Sequence, residues 1–488
     1  MKVRPTLEEA KQIASGYTVI PVAKEMFSDI RTPIEVLKNI ARRSNGYYLL
    51  ESVEGGEKWG RYSFLGYDPI AYLKIQDGKL EYDSGVRLSE DTRNPNESIR
   101  RILKQYRAPR LEGFPPFTGG FVGYFSYEYS KYCMPITFEG DNAADFPDCE
   151  LMLFDKVIVY DHLRQKIILI VNARTDMLET NYKKAAVELQ TMADMVRETA
   201  QESFGGSLVS EIRAEKTREE FTEMVRRIQD HIREGDVFQA VPSVRMSAEY
   251  EGSLLSAYRV LRTMNPSPYM IYIKCRDMEI AGASPETLIT LKDGRLSTYP
   301  LAGSRPRGKN EEEDERLKEE LLSDEKELAE HNMLVDLARN DLGKVSQFGS
   351  VRVEEYLKVL RYSHISHISS CVTGQLAEGY DALDVLASVL PAGTLSGAPK
   401  LRAMEIISRL EGCKRGVYGG AVGYIDFTGN MNLCIAIRMA VKRGARVYVQ
   451  AGAGIVAQSE PEKEYAECRN KALAMLEAIR ASKEAEEE

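Results

Sequence analysis

The chain has 488 residues, enough for two or three domains or for one large layered unit. Its net charge of −9 at pH 7 argues against a nucleic-acid partner, because phosphate backbones bind basic surfaces. The seven cysteines form no Cys-x-x-Cys pair and their number is odd, so we expect reduced thiols, no zinc and a cytoplasmic location. No stretch approaches about 18 apolar residues and the N-terminus lacks an apolar signal region, so we expect no membrane partner.

The first 170 residues or so predict mainly strands separated by glycine-rich turns. Alternating small and bulky residues over 118–124 indicate a strand with close backbone neighbours. A helix is expected at about 180–203, and Gly205-Gly206-Ser207 is typical of a turn or linker. We therefore place the main boundary of the chain there, between regions 1–205 and 206–488.

Helices and strands alternate in the second region. Thr217 and Glu220 form a capping-box pattern that predicts a helix start, and Gly235 predicts its end before a strand that begins at Val237. Further helices are expected near 253–263, 311–342, 380–388, 398–410 and 461–482. Further strands are expected near 269–275, 278–281, 287–291, 419–426, 432–440 and 446–451.

Two Glu-x-x-Glu pairs lie on predicted helices, Glu327 with Glu330 and Glu464 with Glu467. A spacing of three places both carboxylates of a pair on one helical face. One such pair alone is typical of a solvated surface. Both pairs border the apolar stripe of their helix, as Lys471 does farther along, so they are expected at the lip of a cleft where a cation must compensate them. Four converging carboxylates would suit a hard divalent cation.

Other polar residues stand in apolar or glycine-rich surroundings. Arg438 lies in a predicted apolar strand and suits a carboxylate ligand or partner. The glycines of 452–454 follow a strand, so backbone amides there could approach an anion. The run 393–400 lacks the second glycine of a phosphate-binding loop, which excludes nucleotide binding there. His364 and His367 have no serine or cysteine partner motif that would indicate acyl transfer.

Several longer motifs follow one another in a fixed order. They are Ser284-Pro285-Glu286, Pro300–Gly308, Asp336–Asp341, Gly393–Lys400, Tyr418–Tyr424, Gln450–Gly454 and Arg469-Asn470-Lys471-Ala472. In this order they closely resemble the chorismate-utilising enzymes, and among them the anthranilate synthase components I. The resemblance covers about 215–480 densely and about 15–170 more loosely.

The resemblance implies an α+β fold, a large two-sheet α/β/β/α arrangement with antiparallel sheets and outer helices. It implies an Mg²⁺-dependent lyase that converts chorismate and ammonia to anthranilate and pyruvate. The chain has no Gly-x-Cys-x-Gly nucleophile motif, so a glutamine amidotransferase subunit is the implied partner, in a hetero-oligomer. Residues 1–205 are then expected to form a regulatory region that binds the inhibitor tryptophan, packed on the catalytic domain 206–488.

Site residues follow from the resemblance by position. Glu330 and Glu467 are expected to ligate Mg²⁺ directly, with Glu327 and Glu464 holding its waters. Glu286 is expected to be the general acid and to assist loss of the C4 hydroxyl. His367, Gly303, Ser304, Thr394, Tyr418, Arg438, Gly452, Ala453, Gly454 and Lys471 complete the expected site, His367 as a helper of pyruvate elimination and the others around the substrate. The expected tryptophan-binding residues are Glu51, Ser52, Pro268, Tyr269 and Met270.

Two positions separate this reaction from those of relatives. Aminodeoxychorismate synthases have a lysine where this chain has Ala302, and isochorismate and salicylate synthases have a lysine where it has Gln239. Ammonia is itself a nucleophile and needs neither amine. Aminodeoxychorismate synthesis and a non-catalytic tryptophan sensor remain the alternatives at this point.

Overall fold

The computed structural model describes residues 3–52, 60–199, 204–361 and 365–486, except for the side chains of Ser304, Ile365 and Glu486. The helices in these ranges are α1 (Leu7–Ile13), α2 (Pro33–Ala41), α3 (Pro95–Leu103), α4 (Leu178–Arg197), α5 (Arg218–Arg233), α6 (Leu255–Met264), α7 (Glu311–Ser323), α8 (Glu325–Gly343), α9 (Ala382–Val389), α10 (Lys400–Glu411) and α11 (Pro461–Arg480). No helix in this part of the chain is long and apolar enough to cross a membrane. Short 3₁₀ helices occur at Tyr127–Tyr132, Gly393–Leu395 and Glu484–Glu486.

The strands of the described ranges, in chain order, are β1 (Val3–Arg4), β2 (Val19–Phe27), β3 (Gly46–Glu51), β4 (Tyr62–Tyr67), β5 (Ala71–Gln76), β6 (Lys79–Asp83), β7 (Arg87–Asp91), β8 (Gly120–Phe125), β9 (Cys149–Phe154), β10 (Lys156–Asp161), β11 (Lys166–Arg174), β12 (Gly206–Leu208), β13 (Arg213–Ala214), β14 (Gln239–Ala240), β15 (Ser243–Gly252), β16 (Tyr269–Cys275), β17 (Met278–Ser284), β18 (Thr287–Lys292), β19 (Arg295–Thr298), β20 (Leu301–Pro306), β21 (Arg352–Arg361), β22 (Ile365–Gln375), β23 (Gly397–Ala398), β24 (Ala421–Asp426), β25 (Met431–Ile435), β26 (Met439–Arg443) and β27 (Arg446–Gly452). They form two large sheets and one small ladder, β14–β23. The first sheet runs β1-β2-β11-β10-β4-β3-β16-β17-β26-β27-β15-β12, with β13 on β15. The second runs β20-β22-β19-β18-β25-β24-β8-β9-β5-β6-β7, with β21 on β22.

Both large sheets combine strands from the two sides of residue 205. In the first sheet β3 pairs with β16, so that Leu50 lies opposite Ile271. In the second sheet β8 pairs with β24, so that Gly123 lies opposite Gly423. Strands from before and after residue 205 thus pair directly in both sheets. The predicted division into a regulatory region 1–205 and a catalytic region 206–488 stays a proposal about function.

The two sheets pack face to face and helices cover their outer faces. Between the sheets lies an apolar layer to which Tyr48 and Ile280 of the first sheet and Tyr424 of the second belong. The helices α2, α4, α6 and α11 contribute apolar residues to the core outside the first sheet, and α3, α8 and α9 to the core outside the second. Burial of each such side chain contributes about 1.5–3 kcal/mol, so the layering follows from the apolar stripes of the helices. The predicted α+β fold with antiparallel sheets and outer helices is confirmed.

The glycine-rich strand predicted at 118–124 is β8, in the middle of the second sheet. A Cβ atom built on Gly123 would lie 2.1 Å from the carbonyl oxygen of Glu150 in the neighbouring strand. No side chain tolerates that distance, so the strands approach this closely only with glycine there. The predicted close backbone neighbours are therefore confirmed.

Two predicted elements are each broken in two. The helix expected over 311–342 ends at Ser323, and a second helix begins after Asp324, whose side chain accepts bonds from the amides of Lys326 and Glu327. Asp324 has φ −76° and ψ 105°, an extended conformation that interrupts the helical path. This N-cap places Glu327 in the first turn of α8, where a carboxylate is favoured by the helix dipole.

The strand expected over 432–440 is also wrong as a single element. Strand β25 ends at Ile435 and β26 begins at Met439, in the other large sheet. Between them Arg438 has φ +55°, a left-handed conformation that ends the extended path. Local apolar patterning predicts extended structure here but carries no signal for one non-glycine residue with positive φ.

Candidate active site

Glu286 lies in the short link between β17 and β18 and is 8% exposed. The link is held to β25, because Ser284 Oγ donates to the carbonyl of Ile435 at 2.7 Å and the Ile435 amide donates to the carbonyl of Glu286 at 3.0 Å. Thr394 Oγ1 donates to Glu286 Oε1 at 3.1 Å. Burial raises the pKa of Glu286 to about 7, although the Thr394 bond and the charge of Lys471 both favour the ionised form. The carboxyl is thus able to hold a proton at neutral pH.

The surroundings of Glu286 explain that burial. A cavity of about 50 Å³ adjoins Glu286 and Thr394. Apolar side chains form much of its wall, among them Leu334, Val389 and Ile435. A carboxyl group at such a wall loses hydration, and for Glu286 this loss outweighs the opposing effects of Thr394 and Lys471, which favours the neutral form.

His367 of β22 lies beside Gly303, which was also predicted to belong to the site. Its Nδ1 is 3.0 Å from the carbonyl oxygen of Gly303, which can only accept a hydrogen bond, so Nδ1 carries the proton and Nε2 the lone pair. Burial lowers the pKa of His367, and the charges of Arg438 and Lys471 lower it further. The imidazole is therefore neutral and basic at Nε2. His364, the other histidine of this motif, is outside the described residues.

Gly303 also brings the chain close to the first carboxylate pair. Its φ is +70°, and a Cβ atom there would lie 3.1 Å from Glu327 Oε2. Glycine adopts this conformation without the strain that other residues meet. Ser304 follows it and lies opposite His367 in the ladder of β20 and β22, so its backbone is at the predicted place.

Arg438 lies in the break between β25 and β26, near enough to Glu467 and His367 to interact with them electrostatically. Burial lowers the pKa of its guanidinium, while Tyr418 and Glu467 act electrostatically in the opposite direction. A non-glycine residue with positive φ typically stores about 1–3 kcal/mol of strain, and such strain clusters at functional sites. A half-buried cation with this weak compensation suits an anionic ligand.

The loop after β27 and the last helix form a further wall. Lys471 Nζ donates to the carbonyl of Gly452 at 3.1 Å and forms an ion pair with Glu467 at 2.6 Å. A Cβ atom on Gly452 would lie 2.8 Å from the hydroxyl oxygen of Tyr418, which places Tyr418 against the same loop. The amide of Ala453 donates to the carbonyl of Pro242 at 3.2 Å, so this predicted anion donor is engaged within the fold.

The first carboxylate pair faces this wall from α8. Glu330 Oε1 accepts from Gln239 Nε2 at 3.1 Å and would lie 3.9 Å from a Cβ atom on Gly454. Burial raises the pKa of Glu327, and the neighbouring charge of Glu330 raises it further. Arg305 Nη1 is 3.6 Å from Glu327 and offsets part of that charge.

The second pair, on α11, has the same electrostatic character. Burial raises the pKa of Glu464, and the charge of Glu467 adds to the effect. Lys326, in the first turn of α8, acts electrostatically on Glu464, so the two carboxylate-bearing helices lie near each other. Sequence reasoning missed Arg305 and Lys326, although each is adjacent to a predicted site residue or motif.

The donor chemistry of these carboxylates fits Mg²⁺. Among the described residues, three ligand atoms within 4.8 Å of one another occur only at the surface cluster His231, Glu234 and Asp236. The four predicted carboxylates therefore do not close into one compact shell by themselves. Mg²⁺ usually keeps several waters and takes one or two carboxylates, so the predicted arrangement of two direct and two water-mediated carboxylates does not require such a shell. Like charges that raise one another's pKa are the surroundings that a divalent cation relieves.

The predicted tryptophan-binding residues lie together where β3 ends and β16 begins. Met270 is opposite Glu51 in the ladder, and Pro268 precedes Tyr269 at the start of β16. The Tyr269 hydroxyl is 3.0 Å from Thr287 Oγ1, next to Glu286 in the chain. Ser52 follows Glu51 at the end of the described range.

The Glu51 carboxylate already has several partners within the protein. It accepts from Arg262 Nε at 3.0 Å and Nη2 at 3.2 Å, and from the Tyr258 hydroxyl at 2.8 Å. Ser63 Oγ adds a weaker bond at 3.3 Å. A ligand ammonium group at this position would compete with Arg262 for the carboxylate.

The sequence and the fold of the chain are similar to those of known proteins. A family model described as chorismate binding enzyme matches residues 47–477, which is most of the chain. The chain belongs to this family. That the chain is an enzyme of this family, as the ordered motifs implied, is confirmed.

Similar proteins of the family are anthranilate synthase components 1. That of Acetivibrio thermocellus is 44% identical over 97% of this chain and 98% of the relative. That of Aquifex aeolicus is 44% identical over the full length of both. The crystal structure of anthranilate synthase component I from Streptococcus pneumoniae is 36% identical, with a TM-score of 0.78 over 92% of this chain and 98% of the other. The resemblance predicted from the motifs is confirmed.

A structure with a different chemistry shares the architecture. The menaquinone-specific isochorismate synthase from Escherichia coli gives a TM-score of 0.69 at 18% identity, over 97% of this chain and 98% of the other. At that identity the likeness concerns the fold alone. The reaction of this chain must therefore be argued from its site.

Proposed function

We propose that this protein catalyses the reaction of an anthranilate synthase large component, in which chorismate and ammonia give anthranilate, pyruvate and water. The observation that carries the proposal is the buried carboxyl of Glu286, whose pKa of about 7 leaves it protonated often enough to act as an acid. It lies close to the basic side chains that a dianionic substrate requires, since the charge of Lys471 acts on it.

The first step needs a proton donor because hydroxide is a poor leaving group. Ammonia forms a bond to ring C2, both ring double bonds shift by one position, the C4–O bond breaks, and the attached nitrogen releases one proton to solvent. Glu286 gives its proton to the departing oxygen, which leaves as water, and becomes a carboxylate. Thr394, which donates to Glu286 at 3.1 Å, then stabilises the negative charge.

The second step removes pyruvate. The proton on C2 is lost, the C3–O bond breaks, and the ring becomes aromatic as the enol form of pyruvate leaves. His367 is the helper in this step, and its neutral imidazole with the lone pair on Nε2 supports a basic role. The bond from Nδ1 to the Gly303 carbonyl keeps this tautomer in place.

Three groups are suited to hold the substrate carboxylates. Arg438 and Lys471 are both half-buried cations, and Tyr418 lies against the Gly452 loop. A guanidinium can grip a carboxylate through two parallel bonds. Gly454, at the turn of the loop beside Glu330, would bring its amide to the same region.

The four glutamates of α8 and α11 would hold Mg²⁺, Glu330 and Glu467 directly and Glu327 and Glu464 through water. When bound, the ion supplies positive charge that neutralises a substrate carboxylate. Within the chain, Lys471 and Gln239 contact the two direct ligands and hold them at the rim of the cleft.

Two side chains support ammonia as the nucleophile. Gln239, where isochorismate and salicylate synthases have a lysine base, is a neutral amide that donates to Glu330. Ala302, where aminodeoxychorismate synthases have a lysine nucleophile, lies in β20 opposite Ile368. Neither can activate water or attack the ring, so the chain itself offers no competing nucleophile at these places.

Ammonia is proposed to come from glutamine through a separate amidotransferase subunit in a hetero-oligomer, with free ammonia as a substitute. The cysteines of this chain are unsuited to release it themselves. Burial raises the pKa of Cys133, Cys434 and Cys468 to about 12, which keeps these thiols un-ionised. A cytoplasmic location accompanies the proposal, because the scattered cysteines indicate reduced thiols.

Tryptophan is proposed to inhibit by binding at Glu51, Ser52, Pro268, Tyr269 and Met270. The bond between Tyr269 and Thr287 supports coupling to the cleft, because Thr287 directly follows Glu286. Inhibition requires only that tryptophan prefer a less active conformation by about 1–3 kcal/mol.

One assay tests the proposed reaction and both alternatives. The purified chain is incubated with chorismate, Mg²⁺ and an ammonium salt at alkaline pH, and anthranilate fluorescence is followed together with pyruvate. We expect the two products in equal amounts, and inhibition when tryptophan is added. Accumulation of 4-amino-4-deoxychorismate would favour the aminodeoxychorismate synthase alternative, and tryptophan binding without turnover would favour the sensor.

A further inference from the structure

Behind the cleft lies a buried ion pair between Glu411, the last residue of α10, and Arg415, four residues farther along the chain. The two side chains are 1% and 3% exposed. We propose that this pair is a positioning unit that holds three walls of the chorismate site in register: the Thr394 loop, the Tyr418 ring and the Gly452 loop. The inference rests on the function proposed above and adds residues that never touch substrate.

The guanidinium of Arg415 bonds to two backbone segments of the site. Nη1 donates to the carbonyl of Leu395 at 2.8 Å, in the turn whose preceding residue, Thr394, bonds to Glu286. Nη2 donates to the carbonyl of Val241 at 2.6 Å, two residues after Gln239. A planar cation with fixed N–H directions sets both segments relative to one another.

The same guanidinium lies against two tyrosine rings. Its Cζ atom is 4.5 Å from the ring centre of Tyr127 and 5.6 Å from that of Tyr418. A cation near an aromatic face is attracted to it, more strongly when both are desolvated. The ring of Tyr418 is thereby held from behind, with its hydroxyl toward Gly452.

Glu411 connects the pair to the third wall. Its Oε1 accepts from the amide of Ser243 at 2.8 Å and from Ser243 Oγ at 2.7 Å. Ser243 lies opposite Gly452 in the ladder of β15 and β27. Both oxygens of Glu411 also accept from Arg415, at 2.6 and 2.9 Å, so one bidentate contact links the loop of Gly452 to the loop of Thr394.

A second carboxylate fixes the main chain that carries the unit. Glu128 is buried and accepts from the amides of Arg415 and Gly416 at 2.6 and 2.9 Å. Stability alone is a weak explanation for such an arrangement, because a buried ion pair is often no more stabilising than apolar residues of the same volume. A positioning role explains the arrangement. Arg415 bonds to Leu395 and Val241, and Glu411 bonds to Ser243, on segments that adjoin the site.

The test compares two Glu→Gln variants in the full chain. Glu411→Gln removes the charge that orients Arg415. The matched control is Glu279→Gln, because Glu279 is equally buried, accepts from the Leu254 amide and the Ser253 hydroxyl, and pairs with Lys274, but lies at the far end of β17 from Glu286. For each variant, kcat and KM for chorismate are measured with ammonium and without tryptophan, and the melting temperature is recorded.

We expect Glu411→Gln to reduce kcat/KM at least about tenfold, with a rise in KM and a fall in kcat, while Glu279→Gln lowers only the melting temperature. Arg415→Lys keeps the charge but not the planar fork, so its kcat/KM is expected to lie between those of wild type and Glu411→Gln. If Glu411→Gln does not fold, Ser243→Ala replaces it and should raise KM a few-fold by freeing the Gly452 loop.

The results separate this inference from the proposed function. If wild type makes anthranilate and the folded Glu411→Gln variant, or Ser243→Ala in its place, matches the kcat and KM of wild type, the positioning role is wrong and the reaction stands. If wild type makes no anthranilate from chorismate, both are wrong.

Discussion

Two glutamates at the same end of β3 and β17, with β16 between these strands, show how partners decide what a buried carboxyl does. Glu51 ends β3 and Glu286 follows β17, and they are 6% and 8% exposed. Glu51 forms an ion pair with Arg262 and accepts from a tyrosine hydroxyl. Glu286 accepts from the neutral hydroxyl of Thr394 beside an apolar cavity, and burial raises its pKa to about 7.

Equal burial therefore leads to different chemistry. A carboxylate that bonds to a guanidinium group is placed for recognition of a cation, such as a ligand ammonium group. A carboxyl without one keeps a proton that it can give to a leaving oxygen. Variants at and around Glu51 and Glu286 test whether the first residue serves recognition and the second proton donation.

The largest effect is expected for Glu286→Gln. The amide has nearly the shape of the carboxyl but no acidic proton, so kcat should fall by about 10²–10⁴-fold with little change in KM for chorismate. Anthranilate fluorescence under saturating ammonium measures it. The variant should still bind tryptophan, which serves as the control for folding. Turnover within about threefold of wild type would contradict the role of Glu286 as the acid.

Loss of a proposed metal ligand should be the next largest effect. Glu467→Ala should weaken Mg²⁺ binding on the order of 100-fold, since loss of even outer-shell partners costs 10–100-fold. Calorimetric titration with Mg²⁺, without chorismate, measures this independently of activity. Glu462→Ala is the matched control, because Glu462 lies on the same helix and pairs with Arg218 at the surface. Equal Mg²⁺ affinities of the two variants would contradict the assignment.

Glu51→Gln should affect regulation far more than turnover. A hydrogen bond to a charged group contributes about 1.5–3 kcal/mol, so the tryptophan concentration for half inhibition should rise about tenfold or more. Inhibition curves at fixed chorismate measure the shift. An unchanged curve would mean that Glu51 pairs only with Arg262 and takes no part in tryptophan recognition.

A smaller effect is expected at the contact between the two positions. Tyr269→Phe removes the hydroxyl that bonds to Thr287, so tryptophan should still bind but inhibit a few-fold less. Tryptophan affinity by calorimetry and inhibition by kinetics are compared. Tyr124→Phe is the control, since Tyr124 is a buried tyrosine whose hydroxyl likewise forms a hydrogen bond, to the Pro147 carbonyl. A loss of binding and inhibition in parallel would contradict a coupling role.

The smallest effect concerns the pH profile. The Thr394 bond favours ionised Glu286, so Thr394→Val should raise the pKa of Glu286 above about 7. Protonated Glu286 is the active form, hence kcat/KM, corrected for the fraction of free ammonia, falls as pH rises through this pKa. The falling limb should move to higher pH by up to about one unit. Thr290→Val, which removes a bond to the Ser297 carbonyl, should leave the limb in place.

Much of the site could be predicted from sequence because its residues lie in motifs with local signals. The apolar stripe of α11 and the Glu-x-x-Glu spacing predict Glu464 and Glu467 beside a buried face, and in the structure Glu464 is half-buried and Glu467 is exposed. The order of the motifs carried the fold class. Neither depends on knowing which distant segments pair.

What could not be predicted depends on distant contacts or on single backbone angles. The pairing of β3 with β16 joins residues more than 200 positions apart, and no local pattern specifies it. The positive φ of Arg438 has no compositional signal. The spacing of Glu411 and Arg415 is visible in the sequence, but their burial and their bonds to Val241 and Leu395 are not.

The protonation of Glu286 can be measured directly by infrared difference spectroscopy. Wild type minus Glu286→Gln, recorded over a pH titration, isolates the carboxyl stretch of Glu286. We predict that the protonated band of Glu286 persists at neutral pH and disappears with a pKa of about 7. Ionisation of Glu286 near the ordinary value of 4.5 would contradict the assignment of Glu286 as the acid.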